Sequence, residues 1–161
     1  MPGLPISPPL RRVVTGLNAD GRSCALFDDA VTPAGDGGSA VGLIWRTTEV
    51  PGRDTGGADM AAGGFAMEMM KGTGSNFLLF ELRPEEGLVG PGMHATDTLD
   101  YIVVLRGPVE LTLEEGRLTL GTGDCVVDRG VLHGWRAPGP ESALLAVINL
   151  PSQPVGQGAT I

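Results

Sequence analysis

The sequence predicts an all-β chain, a sandwich or barrel, and three observations carry that reading. From Asn76 onward, NFLLFEL, DYIVVL, VELTL, GRLTL, CVV, LHGW and ALLAVINL follow one another as short apolar or alternating runs. Gly, Pro or acidic turns separate them, and no amphipathic helical stretch lies between. The composition agrees, because 26 Gly and 13 Pro among 161 residues supply the turns that many short strands need. A chain of this length is one domain with enough residues to bury a core without disulfide or metal staples.

Residues 1–10 carry four prolines and read as an extended arm. Strands are expected over Arg12 to Thr15 and Arg22 to Phe27, joined by a turn at Asn18–Gly21, because Asp-Gly tolerates the positive φ of a tight hairpin. Thr32 to Ser39 is a loop by composition, and Val41 to Thr48 is the next strand. Pro51 to Gly64 has neither period. Met60, Met67, Met69 and Met70 beside it either close over a pocket or fill core gaps. Residues 11–75 are thus N-terminal strands and loops, and residues 76–150 the barrel core, in which Glu114-Glu115-Gly116 turns the clearest hairpin.

The formal net charge is -8, from Lys+Arg 11 against Asp+Glu 19, so a nucleic-acid backbone or an anionic lipid surface would be repelled. The apolar run from Ala143 to Leu150 is too short to span a bilayer, and prolines interrupt the N-terminus where a signal peptide needs continuity. Cys24 and Cys125 form neither a secreted disulfide pattern nor a CxxC pair, so the expectation is reduced thiols in a cytoplasmic protein, with Cys125 inert on a buried strand. No phosphate loop or nucleophile elbow is present: Gly72-Thr73-Gly74-Ser75 lacks the lysine. Asp20, Asp54, Asp59 and the pairs Glu85-Glu86 and Glu114-Glu115 read as solvated turn charges.

Two blocks resemble the cupins, small jelly-roll barrels also described as double-stranded β-helices. They are His94-x-Thr96-x-x-x-Asp100 followed by Gly107, and Gly123 to Trp135, GDCVVDRGVLHGW. The likeness covers roughly Asn76 to Leu150, and the opening RRVVTGLNADGRS resembles a bacterial subgroup described mostly as cupin-domain proteins. It implies a single cupin domain with extra N-terminal strands, a site built on His94, Asp100 and His133, and one divalent transition metal, Fe, Mn, Ni or Zn, with no organic cofactor. The chain departs from the family pattern at several positions. Thr96 stands for a second histidine, Asp100 for a glutamate, Asp128 for a proline and Ala137 for an asparagine, and Gly123 lies one residue nearer the histidine.

Strand alternation points His94 and Thr96 the same way, and likewise His133 and Trp135, so both histidines meet if that face is the barrel interior. If Asp100 faces inward, Ile102 and Val104 line the same interior, while Tyr101 and Val103 face away. Two imidazoles and one carboxylate suit a borderline metal with open positions for substrate. Without a metal, they are hydrogen-bonded pocket histidines, with Asp100 accepting from Thr98 or capping a turn. Trp135 is either an aromatic wall for a planar substrate or a core residue. The expected functions are a metal-dependent oxygenase, isomerase or decarboxylase acting on a small organic molecule, or a metal-free ligand-binding module accessory to a biosynthetic pathway. A barrel with only a residual pocket is the third. The proline-rich arm points to a homodimer that exchanges strands.

Overall fold

Alternation along Thr98–Arg106 fixes the architecture, because Ile102 and Val104 are buried while Tyr101 and Val103 are exposed. A computed structural model describes residues 10–35, 39–53, 55–84, 92–153 and 155, in strands with one short 3₁₀ turn at Met67–Lys71. The strands are β1 Arg11–Leu17, β2 Ser23–Ala30, β3 Pro33–Gly35, β4 Ser39–Arg46, β5 Asn76–Leu82 and β6 Thr98–Arg106. They continue with β7 Val109–Leu113, β8 Gly116–Leu120, β9 Cys125–Asp128, β10 His133–Arg136 and β11 Ala143–Pro151. All pair antiparallel, in a six-stranded sheet of order β3-β4-β5-β11-β6-β9, a three-stranded sheet β10-β7-β8 and the ribbon β1-β2.

The two larger sheets bury their inner faces against one another. Leu43, Leu78, Ile102, Val104, Leu145 and Val147 from the larger sheet meet Val109, Leu111 and Trp135 from the smaller. Hydrophobic burial of this kind is the main term favouring the fold. On the outer face Leu79, Leu144 and Ala40 are covered by Val31 and by Leu10, the first described residue, so the start of the ribbon closes a second small core.

The β1-β2 hairpin forms as the sequence predicts. Gly21 takes φ +72°, and Asn18 Oδ1 accepts from the backbone N–H groups of Asp20 and Arg22. An isolated two-stranded ribbon is marginal in water. This one is fastened by Arg12, 6% exposed, whose guanidinium forks onto Asp29 at 2.8 and 2.7 Å and onto Asp59 at 2.9 Å on both oxygens, with Phe27 beneath it. Asp59 is therefore a structural partner of Arg12 and not the solvated turn charge its sequence context predicts.

Three further expectations change. The loop predicted over Thr32 to Ser39 contains β3, which pairs with β4 and leaves less of it irregular. Cys125 is exposed, because the first residue of β9 faces outward at the sheet edge. Val104 belongs to the core. The arm at residues 1–9 and the Glu85-Glu86 and Asp54 charges lie outside the described residues. No helix among the described residues is long and apolar enough to cross a membrane.

Candidate functional site

The register of the large sheet aligns polar residues in a single inward row. Asn76 on β5 pairs with Asn149 on β11, Asn149 with Asp100 on β6, and Asp100 with Asp128 on β9. All are buried. One residue along, Phe77, Ile148, Tyr101 and Val127 make the corresponding outward row, and the next inward row, Leu78, Val147, Ile102 and Val126, is apolar. The barrel interior thus has an apolar wall and a polar floor.

His94 and His133 close over this floor. They pair backbone to backbone, each N–H donating to the other's carbonyl at 2.8 and 2.9 Å, which sets the imidazoles 4.5 Å apart between ring centroids. His133 Nδ1 lies 2.6 Å from Asp128 Oδ2 and 2.9 Å from Val131 O. With a hydrogen on Nδ1, the ring donates to the Val131 carbonyl, while Asp128 Oδ2 faces the same nitrogen as an ion-pair partner without forming a hydrogen bond. That leaves Nε2 as the ring nitrogen without a backbone anchor. Asp128 is itself fixed by the turn that follows it: Oδ1 accepts from Gly130 N at 3.0 Å and Val131 N at 3.2 Å, and Gly130 takes φ +74°, a conformation glycine adopts without strain.

Charge follows from these contacts. Burial disfavours the imidazolium of His133, but the Asp128 carboxylate and the Val131 carbonyl outweigh it and raise its pKa. Burial likewise opposes the Asp128 carboxylate, yet the His133 contact and the two backbone N–H groups hold its pKa below the ordinary value. His94 is pushed down, first by burial and also by the neighbouring His133. Asp100 is pushed up by burial, against hydrogen bonds from Asn149 and Thr98.

A cavity of about 140 Å³ opens between floor and wall. It is lined by His94, Thr96, Asp100, His133, Trp135 and Ile102, together with Phe65, Met67 and Met70. Asp100 therefore faces inward, and all the expected residues meet there except Val104. Trp135 stands edge-on to His133 and joins both cavity and core. Of the methionine-bearing flank, Met67 and Met70 line the pocket, and Met69 and Met70 pack against the core. Larger clefts of about 480 Å³ beside Arg12 and about 780 Å³ beneath the ribbon hold no histidine, and the Arg12, Asp29 and Asp59 charges of the first are already paired.

For a metal the donor set falls short of the family arrangement. Among the described residues no three His, Cys, Asp or Glu side chains gather closely enough to hold an ion. His94 and His133 are adjacent, but Thr96 turns its hydroxyl to Thr98 at 2.7 Å, and the Asp100 carboxyl is engaged by Asn149 and Thr98.

Residues 78–149 match the family model of the cupin domain. A 45-residue stretch is 47% identical to phomopsin biosynthesis cluster protein C' of Diaporthe leptostromiformis, covering 27% of this chain and 24% of that protein. Over 67 residues it is 40% identical to oryzines biosynthesis cluster protein J of Aspergillus oryzae, covering 40% of this chain and 37% of that one. These alignments span well under half the length of either relative. The polyketide cyclase RemF from Streptomyces resistomycificus superposes with a TM-score of 0.50 at 17% identity, over 77% of this chain and 76% of that one, which shows a shared fold.

Asp128 and Asn149 escaped the sequence reading as site residues. Asn149 carried a signal, since it breaks the inward apolar period of Leu145 and Val147 with a polar residue. Asp128 was legible only as an odd residue in a family block.

Proposed function

We propose that this cupin domain binds a small, mainly apolar organic molecule in the barrel cavity and moves a proton on it, in an isomerisation or decarboxylation of an enolisable compound. The observation that carries the reading is the anchoring of His133 Nδ1 by Asp128 and Val131 O, with Nε2 left for the cavity. In the neutral ring the anchored nitrogen keeps its hydrogen, so Nε2 offers a lone pair and acts as base. Once protonated, the imidazolium is stabilised by Asp128, and Nε2 returns the proton to another atom of the substrate. His94, held neutral by burial, supplies a second polar contact, and the flank bearing Met67 and Met70 keeps water from the reacting carbon.

The biosynthesis-cluster names of the relatives support a small-molecule substrate. The test is deuterium wash-in from solvent to a panel of aryl ketones small enough for the cavity. Wild-type protein is expected to accelerate exchange, and His133→Asn to remove the acceleration. If wild type and His133→Asn exchange alike while both bind the ketones, the domain is a binding module accessory to a pathway, and the catalytic reading falls. A homodimer also belongs to this proposal, supported by the exposed row Phe77, Ile148, Tyr101 and Val127. Sedimentation equilibrium of the full chain, and of one beginning at Arg11, measures it and the arm's part in it.

A further inference from the structure

Two oxygens of side chains that line the cavity have no partner among the described residues. Asp100 Oδ1 and Asn149 Oδ1 are buried and accept no hydrogen bond from the described residues, although Asp100 and Asn149 both line the cavity. They belong to directly paired residues on neighbouring strands, so their side chains stand next to one another on the same face. At the ends of the same row, Asn76 Nδ2 donates to Met69 O at 3.2 Å, and Asp128 Oδ1 accepts from the turn after it while its Oδ2, also without a hydrogen bond, lies 2.6 Å from His133 Nδ1 as an ion-pair partner. In the middle of the row, Asp100 Oδ1 and Asn149 Oδ1 have neither a hydrogen bond nor an ion-pair partner among the described residues. Buried acceptors without donors oppose folding, and native proteins keep them rarely, where something other than the fold requires them.

From this juxtaposition we infer that the ligand of the barrel cavity carries a hydrogen-bond donor head, an amine or a hydroxyl, that seats on Asp100 and Asn149 while its apolar body lies against Ile102, Leu78 and Val147. The inference rests on the cavity being a small-molecule site and names the class of molecule it takes. Both open atoms are acceptors, so a carboxylate or phosphate head is disfavoured there. The apolar wall leaves the remainder of the molecule no polar group to meet on that side, and a volume of about 140 Å³ limits the body to roughly one ring.

The experiment uses benzylamine, benzyl alcohol, toluene and benzoate as probes at neutral pH, with binding followed at the ¹³C-methyl signals of Met67 and Met70. Benzylamine or benzyl alcohol is expected to bind at least about tenfold more tightly than toluene, the factor one well-made hydrogen bond to a buried acceptor supplies, and benzoate more weakly than toluene. Asp100→Asn keeps the shape but can donate to Asn149 Oδ1, so it should erase the preference for the donor probes and leave toluene unchanged. Asn149→Leu should weaken the donor probes in the same direction. A preference confined to benzylamine assigns a cationic head, and one shared with benzyl alcohol a neutral donor. Equal affinities for benzylamine and toluene, or an unchanged preference in Asp100→Asn, overturn the inference and point to the two oxygens sharing a proton. Loss of all binding, toluene included, instead overturns the cavity as a small-molecule site.

Discussion

Asp128 Oδ2 approaches His133 Nδ1 to 2.6 Å inside the barrel, both side chains almost fully buried, so the strand that ends at Asp128 orients the imidazole that begins the next one. The chain has only two histidines, and the structure moves their titrations in opposite directions. An NMR titration should find one histidine above its ordinary pKa and one below. Asp128→Asn should bring the raised one down, and two coincident curves in the wild type would contradict the geometry.

The linkage has a definite sign. A raised His133 contributes stability that is present below the ordinary histidine pKa and is lost as pH rises through its folded value. Lowered His94 acts in the opposite sense, favouring the neutral ring and hence higher pH. Asp128→Asn removes the first contribution and leaves the second. Its unfolding free energy should therefore fall most, relative to wild type, at pH values below the ordinary histidine pKa, in urea melts run across that range.

Arg12 bridges the ribbon and the segment that leads to the cavity's methionine flank. Removing one partner of a buried ion pair costs about 3–5 kcal/mol in general, and the lower end applies here because Asp29 and Asp59 are 44% and 26% exposed. Arg12→Met should lower unfolding free energy by about 3 kcal/mol in urea melts. Both carboxyls are held below the ordinary carboxylate range, first by their bonds to Arg12. This support is complete above the ordinary carboxylate pKa and disappears as pH falls through the lowered values. Acid should then destabilise wild type more than Arg12→Met. Amide exchange should quicken at Asp59–Met70 in the variant.

The fold was legible where side-chain period was strong. In β6 the alternation of Ile102 and Val104 with Tyr101 and Val103 assigns faces without ambiguity, and the Asp-Gly turn of the ribbon follows from φ at Gly21 alone. The site was legible in part. His94, Asp100 and His133 do line one cavity, because alternation carries inward-facing residues of separate strands to a common interior. Pairing across strands was not legible: that Asp100 stands between Asn149 and Asp128 depends on register, which turn lengths and core packing decide together. Arg12 escaped for a related reason, since its burial depends on two carboxylates that approach from distant segments.

Val104 and Ile102 are both inward on β6, but only Ile102 reaches the cavity. Val104→Ala should cost roughly 2 kcal/mol of stability, from lost burial and the void left behind, with toluene affinity unchanged. Ile102→Ala should enlarge the cavity itself and admit a bulkier probe such as ethylbenzene. Equal effects of the two substitutions on probe binding would show that the cavity extends further into the barrel than its lining residues indicate.

Thr96 sits where its side chain faces the cavity beside both histidines, with its hydroxyl turned to Thr98. A hydroxyl is a poor ligand compared with imidazole, and the Asp100 carboxyl is engaged by Asn149 and Thr98, so His94 and His133 alone should retain a metal weakly. Elemental analysis of protein purified without chelator or metal-affinity tag is expected to find less than about a tenth of an equivalent of any transition metal. Thr96→His places a third imidazole beside the pair and should raise that content severalfold for Ni or Zn, with a parallel rise in melting temperature on adding the ion, since binding to the folded state alone stabilises it. Stoichiometric metal in the wild type, lost in both His94→Ala and His133→Ala, would instead mean that two imidazoles and a reoriented Asp100 suffice, and would restore the metal-dependent reaction.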